Sequence, residues 1–322
     1  MIVTLTANPS LDRTIELGGA LDRGGVQRAN ATREQPGGKG VNVSRALIAS
    51  SLQTVAVLPG ASGDPMLVAL RAERIPTANL AIASRIRSNI TITEPDGTTT
   101  KINEPGPTLD ATDELALIDL VASHCRHAEW LVLAGSLPPG LSEDFYALVI
   151  RAVRSQVADA PRIAVDSSGH PLAALIDSGV GVDLVKPNAE ELAEVTGRGS
   201  EATLEGDPRE AYAAALTLLD RGCGAVLATL GSKGAVLATP AGGWIATMPP
   251  IVPRSTVGAG DSALAGYLVA SARTTAPELL LAQAVAHGAA AAALPGSTMP
   301  SVAETAPETA TVTALTAITA DR

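Results

Sequence analysis

Aromatic side chains are nearly missing from this sequence: Phe, Tyr and Trp make up 2% of its 322 residues, and Phe occurs once. Single-stranded nucleic acids bind by stacking their bases on such rings, so that class of partner lacks its platform. A basic excess is missing as well. A net charge of −10 disfavours the polyanions that basic proteins collect. A phosphorylated ligand therefore needs a local basic pocket set in an acidic surface. Cysteine is limited to Cys125 and Cys223, too few for a disulfide framework or a Cys-rich metal site, and both are read as reduced and structural. A long apolar run is absent too. The stretch LLLAQAVAHGAAAAALPG (279–296) is interrupted by Gln283 and His287, and it reads as a buried helix rather than a membrane span. The start, MIVTLTANPSLDRT, has no basic region ahead of a long apolar run, so no secretory leader is expected. The expectation is a soluble, cytoplasmic protein with neither a nucleic-acid nor a membrane partner.

What is present describes a globular chain, with 46% hydrophobic and 17% charged residues. IVTLTA (2–7), TVAVLP (54–59), WLVLAG (130–135), RIAVDS (162–167), DLVKP (183–187) and AVLATLG (225–231) read as strands. Most are continuously apolar, as strands covered on both faces are. Between them, 41–51, 111–125, 142–156, 189–197 and 208–222 carry apolar residues at helical spacing. Alternating strands and helices predict a doubly wound, mostly parallel α/β sheet flanked by helices. Residues 11–35 and 85–104 break that rhythm: IRSNITITEPDGTTTKIN alternates and turns at Asp96-Gly97, a hairpin signal. They predict antiparallel strands forming a small β-sheet lid inserted in one 1–322 domain. The segment after about Ser297 suits a last strand or a short helix.

Ligands of open α/β sheets bind beyond the carboxyl ends of the strands, and polar residues collect there. Asn8 and Asp12 follow one strand; Gly135-Ser136, Asp166-Ser167, Lys186-Pro187-Asn188 and Thr229-Leu230-Gly231 follow others. The stretch TVGAGDSALAG (256–266) puts Gly258, Ala259 and Gly260 ahead of Asp261. Asp261 is either a helix cap or part of an anion site at a helix start. Gly38-Lys39 is not a Walker A loop, since Arg33 and Gly40 stand where Gly and Ser or Thr are needed, and Val43 spoils GxGxxG. PGGKGVNVSRAL (36–47) is either a plain helix entry with an exposed Lys or a sugar-binding turn. In the second case Asn42 bonds hydroxyls and Lys39 meets a phosphate. Asp12 is a turn former or an acceptor for vicinal hydroxyls. In KPNAEEL (186–192), Asn188 and Glu191 form either a cap with a surface acid or a pair that holds water on Mg²⁺.

Taken together, TANPSLD, GGKGVNVSRAL, GSLPPG, VDSSG, KPNAEEL, TLGSKGA and STVGAGDS resemble the ribokinase-like carbohydrate kinases. Within them the resemblance is to the branch holding the phosphofructokinases and tagatose-phosphate kinases, and it runs nearly end to end. It implies that Asp261 is the catalytic base and that the N–H groups of Gly258, Ala259 and Gly260 form an anion hole. It further implies that Lys186, Asn188, Thr229, Gly231 and Gly234 border ATP, that Glu191 organises Mg²⁺ through water, and that Asp12, Gly38, Lys39 and Asn42 hold the sugar. Arg28, Arg87 and Lys101 on the lid strands, with Lys39, are each an ordinary surface charge or together a phosphate site. Arg87 and Asn89 match an Arg-x-Asn of this branch.

Lysine in GGKG looks like the fructose-1-phosphate and tagatose-6-phosphate kinases, and DGTTTKINEPGP (96–107) looks most like the former. Asn103 would then touch the sugar or its phosphate. The resemblance implies phosphorylation of the 6-hydroxyl of fructose 1-phosphate, with tagatose 6-phosphate and fructose 6-phosphate as competing substrates. A catalytically silent sensor could dispense with Asp261 or Glu191, and both are present. Exposed lid strands predict a homodimer closed lid against lid.

Overall fold

The computed structural model describes residues 1–315. The chain opens with β1 (Ile2–Leu5), β2 (Ser10–Leu17), β3 (Ala29–Gly37), α1 (Lys39–Ala49), β4 (Thr54–Pro59), α2 (Pro65–Ala72) and β5 (Thr77–Leu80). Then follow β6 (Arg87–Thr93), β7 (Thr99–Asn103), α3 (Ala111–His124), β8 (Trp130–Ala134), α4 (Phe145–Gln156) and β9 (Arg162–Asp166). The next elements are α5 (Gly169–Asp177), β10 (Leu184–Val185), α6 (Ala189–Thr196), α7 (Glu201–Gly206), α8 (Pro208–Asp220) and β11 (Val226–Thr229). Last come β12 (Ala235–Thr239), β13 (Gly242–Thr247), α9 (Ala259–Ser271), α10 (Pro277–Ala293) and β14 (Thr311–Leu315).

Among the described residues ten strands form one sheet, in the order β14-β13-β12-β11-β10-β9-β8-β1-β4-β5. It is parallel from β5 to β11 and antiparallel from β11 to β14. All six strands read from the apolar runs are in it. Alternation along β1 explains why those runs are continuous. Val3 and Leu5 join the core under α3, α4, α5, α6 and α8, whereas Ile2 joins the core under α1, α9 and α10. β12, β13 and β5 have no counterpart in the sequence reading. The tail supplies both forms that were open for it: two short 3-10 turns (Val302–Glu304 and Pro307–Thr309) and then β14.

The lid is a separate four-stranded sheet, β3-β2-β6-β7. Its β6–β7 hairpin turns at Asp96-Gly97 as expected. One expectation needs correcting: the central pair, β2 and β6, runs parallel. A chain segment of some 70 residues separates these strands, so no hairpin dictates their direction. Because side chains alternate, the register puts Asp12, Asn89 and Asn103 on one lid face, and Ile15, Ile90, Ile92 and Ile102 on the other.

α10 is the buried helix foreseen in 279–296, and no helix among the described residues is long and apolar enough to cross a membrane. Cys125 and Cys223 are buried, which pushes their thiols up to about 12 and about 11. That is inert behaviour.

Candidate active site

The carboxyl ends of β1 and β8, the base of the lid and the starts of α1 and α9 surround a cavity of about 260 Å³. β1 delivers Thr6 and Asn8; the lid strands deliver Asp12, Arg87 and Asn89; α1 delivers Gly38, Lys39 and Asn42; the start of α9 delivers Gly258 and Asp261. Five polar atoms of these residues are buried without a hydrogen-bond partner among the described residues: Thr6 Oγ1, Asn8 Oδ1, Asn42 Oδ1, Asn89 Oδ1 and Arg87 Nε. Buried polar atoms are ordinarily paired. All five belong to residues that line the cavity, whose amide, carboxylate, ammonium and guanidinium groups describe a place for a ligand rich in donors and acceptors.

The glycines ahead of Asp261 have a local explanation. Gly258 is the N-cap of α9 with φ 77°, a left-handed conformation that suits glycine. A Cβ there would also meet Met299 Cε at 2.6 Å. Asp261 is the third residue of the helix rather than its cap, and no side chain caps the first turn. The N–H groups of Gly258 and Gly260 have no partner among the described residues, and that of Ala259 makes only a long 3.4 Å bond to Thr256. α1 likewise starts from a glycine cap, Gly38, with no side-chain bond, while α2, α3, α6, α7 and α8 are capped by side chains. Free N–H groups and the positive end of the helix dipole therefore face the cavity, a setting for anionic oxygen.

Charges concentrate behind this opening. Asp166, at the end of β9, is fully buried and paired with Lys39 at 2.6 Å and Lys186 at 3.2 Å. Lys39 also reaches Glu191 Oε1 at 3.2 Å. Burial alone would lift Asp166, but Lys186 and Lys39 outweigh it and hold the carboxyl below its usual range. Burial likewise opposes the Lys39 ammonium, yet Asp166, Glu191 and Asp261 keep it well above the usual lysine value. Asp261 is pushed up to about 6 by burial and by repulsion from Asp166, with Lys39, Asn42 and Lys186 resisting. Its Oδ2 accepts from Asn42 Nδ2 at 2.8 Å.

Several residues singled out from the sequence meet here, and others do not. Asp12 lines the cavity, accepting from Ser10 Oγ at 2.7 Å and Asn89 Nδ2 at 3.1 Å. Arg87 is held at the lid base by the carbonyls of Asn8 and Glu104, at 3.1 Å each. Arg28, Lys101 and Asn103 are exposed and lie outside the cavity lining. Lys39 lines the cavity, but its recorded ion pairs are with Asp166 and Glu191. Asn188 and Glu191 do form a capping box, Asn188 Oδ1 accepting from Glu191 N at 2.7 Å and Glu191 Oε2 from Asn188 N at 2.9 Å. Glu191 is nonetheless buried and turned toward Lys39, so cap and inward-facing acid are one arrangement.

Asn188 bridges Thr229 of the neighbouring strand, and Gly231 and Gly234 bracket a single 3-10 turn just beyond it. Gly234 has a packing reason of its own, since a Cβ there would run into the carbonyl oxygen of Ala246. Asp166 is the residue whose role sequence reasoning left unassigned. Its signal was an acid closing an apolar strand in VDSSG.

No group of three or more His, Cys, Asp or Glu among the described residues is arranged to hold a metal ion. A single inward carboxylate with both oxygens engaged suits Mg²⁺ that keeps a shell of water and phosphate oxygens.

Known proteins resemble this chain in sequence and fold. The chain is 36% identical over 273 residues to a 1-phosphofructokinase of Xanthomonas campestris pv. campestris, covering 83% of each chain. The crystal structure of phosphofructokinase-2 from Escherichia coli in complex with fructose-6-phosphate superposes with TM-score 0.83 at 29% identity, covering 94% of this chain and 96% of that one. Arabidopsis thaliana ribokinase complexed with ribose and ATP, at 22% identity and TM-score 0.72 over 93% of this chain and 95% of that one, shares the fold. The fold is thus ribokinase-like, and residues 5–303 match the pfkB family of carbohydrate kinases. The chain belongs to that family and is a phosphotransferase acting on a hydroxyl group.

Proposed function

We propose that this enzyme transfers the γ-phosphoryl group of ATP to the 6-hydroxyl of fructose 1-phosphate, giving fructose 1,6-bisphosphate and ADP. The observation that carries the substrate class is the polar lining of one cavity of about 260 Å³, by Asn8, Asp12, Lys39, Asn42, Arg87 and Asn89. Three of them carry amides, which bond hydroxyls, and Arg87 carries a guanidinium, which donates to a phosphate. Asp12 and Asn42 hold hydroxyls beside Gly38. A neutral sugar has no use for the Arg87 donor, which favours a sugar that already carries phosphate. Lysine in GGKG and the sequence after Asp96-Gly97 favour fructose 1-phosphate among such sugars. A second reading, fructose 6-phosphate, is favoured by the fit to phosphofructokinase-2 in complex with that sugar, and tagatose 6-phosphate has the same charge and a similar shape.

In this reading Asp261 takes the proton of the attacking hydroxyl. The gap between a carboxyl near 6 and an alcohol resembling water at ~15.7 is ~10 units, roughly 13 kcal/mol. The hydroxyl is therefore not ionised in advance, and its proton moves late, as oxygen bonds to phosphorus. The raised Asp261 pKa makes that late acceptance easier than for an ordinary aspartate. Acceleration comes mainly from alignment and from the N–H groups of Gly258, Ala259 and Gly260 facing the phosphoryl oxygens. Lys186, Asn188, Thr229, Gly231 and Gly234 border the nucleotide. Mg²⁺, where bound, offsets phosphate charge, and Glu191 with Asn188 would hold it through water. ATP as donor and two buried, unreactive thiols suit a cytoplasmic enzyme.

The reading extends to assembly as a homodimer formed by the lids. The lid face carrying Ile15, Ile90, Ile92 and half-exposed Ile102, with Val26 fully exposed in the loop between β2 and β3, suits a second copy of itself. A monomer in sedimentation at working concentration would sink that part alone.

The deciding experiment is ADP release with Mg-ATP against fructose 1-phosphate, fructose 6-phosphate and tagatose 6-phosphate, compared by kcat/KM. Preference for fructose 1-phosphate is the expected result. Preference for a 6-phosphate reverses the sugar in the cavity, and turnover of none of the three overturns the reading.

A further inference from the structure

Tyr146 is the second residue of α4 and is fully buried beside Phe145, with ring centroids 5.9 Å apart. A Phe would fill that space equally well, so the hydroxyl needs a partner and a use of its own. It donates to the carbonyl oxygen of Gly135 at 2.8 Å. Ser167, itself 1% exposed, donates to the same oxygen at 3.0 Å. A carbonyl oxygen has two lone pairs, and these two hydroxyls take both. Burial lifts the Tyr146 phenol well above its usual range, so it keeps its proton and remains a donor.

The peptide they grip joins Gly135 to Ser136, just past the end of β8, and both of those residues line the cavity. Tyr146 and Ser167 stand behind that lining. In a trans peptide the carbonyl and the following N–H point in opposite directions. With its oxygen turned back toward α4 and the end of β9, the peptide presents the Ser136 N–H on the cavity side. That N–H makes no backbone hydrogen bond among the described residues. Gly135 has φ 96°, in the region that favours glycine, and a Cβ there would meet nothing within 4 Å. Glycine is thus required for the direction of the backbone and not for space. The preceding peptide is fixed as well, since the Gly135 N–H donates to the Asp166 carbonyl at 2.9 Å. The Leu137 carbonyl accepts from Asn8 Nδ2 at 3.4 Å, and the Asn8 carbonyl accepts from Arg87 at 3.1 Å. Ser136 therefore stands on the lid-base side of the cavity.

We propose that Tyr146 and Ser167 are positioning residues, which hold the Gly135–Ser136 peptide so that the Ser136 N–H donates to an acceptor oxygen of the sugar phosphate. The proposal rests on the kinase reading above. Two hydrogen bonds arriving at the carbonyl draw electron density toward its oxygen, which makes the N–H of the same peptide a stronger donor. They also fix the direction of that N–H before the ligand arrives, so binding does not have to order it. Neither hydroxyl touches the sugar. In the kinase reading the sugar reacts at the start of α9, beside Asp261, and not on the lid-base side. The grip of the Ser136 N–H is therefore shared by the ground state and the transition state.

Tyr146→Phe, Ser167→Ala and the double variant are compared with the wild type in kcat, in KM for ATP, and in KM for whichever of the three sugar phosphates the wild type prefers. Each single variant should raise the sugar KM by about 3–10-fold, a fraction of one hydrogen bond, with kcat and the ATP KM within about twofold. The double variant should raise it by more than the product of the two, since each hydroxyl backs up the other on one oxygen. Isotopic labelling of serine nitrogen reads the N–H itself by NMR. The Ser136 amide signal, identified by its loss in Ser136→Ala, should move downfield when the sugar phosphate is added, and that movement should shrink in the double variant. A sugar KM within about twofold of the wild type in all three variants, with only the melting temperature lowered, would reduce both hydroxyls to packing and overturn the proposal. A fall in kcat with the sugar KM unchanged would overturn it too, as would a Ser136 amide that ignores every sugar phosphate. If the double variant does not melt cooperatively, the single variants decide by the same sugar KM. The amide titration needs no turnover, so a wild type that uses none of the three removes the substrate reading and leaves the Ser136 test standing.

Discussion

Replacing Asn42 with Ala tests the electrostatics of the centre through one hydrogen bond. Asn42 Nδ2 donates to Asp261 Oδ2 at 2.8 Å, and the residues are only 4% and 8% exposed. The bond favours the charged carboxylate, so losing it raises the Asp261 pKa. A hydrogen bond to a charged group is worth ~1.5–3 kcal/mol, and a pKa unit ~1.4 kcal/mol, giving an upward shift of ~1–2 units. Starting from about 6, Asp261 would then titrate at ~7–8. At neutral pH the ionised fraction falls from ~90% to ~10–50%. The assay is kcat against pH over about 5 to 9, because kcat reports the enzyme with substrate bound and leaves the contact of Asn42 with the sugar to KM. The acid limb should move up by that shift, and activity should recover at the alkaline end. A limb that stays in place while kcat falls evenly at every pH refutes the argument that Asn42 keeps Asp261 charged.

Asp261→Asn should lower kcat by roughly 10²-fold or more, the general-base range, and near-normal turnover would remove Asp261 as the base. The same substitution should stabilise the fold. A carboxyl raised from about 3.8 to about 6 on folding costs stability progressively as pH rises through that window, up to ~3 kcal/mol above it. Urea unfolding should show the variant more stable at pH above 7 and no gain near pH 4; equal stability at both would contradict the burial argument. Arg87→Gln should raise KM for the sugar phosphate by about 10–100-fold with a smaller effect on kcat, and a KM unchanged would leave the sugar's phosphate without its donor.

His287 is fully buried, and burial pushes it down to about 4 against a bond to the Gln283 carbonyl. Below about 6.5 the unfolded chain takes a proton that the folded chain refuses, so stability is lost as pH falls, by up to ~3 kcal/mol near pH 4. His287→Gln should flatten that slope in denaturant titrations, and an unchanged slope would place its origin elsewhere.

How far the sequence could be read depended on how local each cause is. Val3, Leu5 and Ile2 need only alternation to declare a strand covered on both faces, so the parallel core was visible in the apolar runs. Gly258, Ala259, Gly260 and Asp261 are contiguous, and the helix start they make is a local event. The parallel pairing of β2 with β6 is not local: nothing in either strand states its partner's direction, and alternation fits both directions equally. Lys101 stays away from Lys39 and Arg87 for a similar reason. Lys101 lies across from Thr91 and Thr14, further out along the lid than the Asp12–Asn89 row, and only register reveals that distance.

Asp166 was hidden in another way. A lone acid at the end of an apolar strand is ordinary, and it becomes the hub of the site only because β9 lies two strands from β1, which leads toward α1. That adjacency also decides Lys39. Its backbone position was legible in GGKG, but a flexible four-carbon stem lets one ammonium choose among several anions. The choice is made by Asp166 and Glu191, both buried before any substrate arrives. The residue types of a phosphotransfer site can thus be listed from motifs, whereas the partners its buried lysines take depend on which carboxylates the sheet order brings beside them.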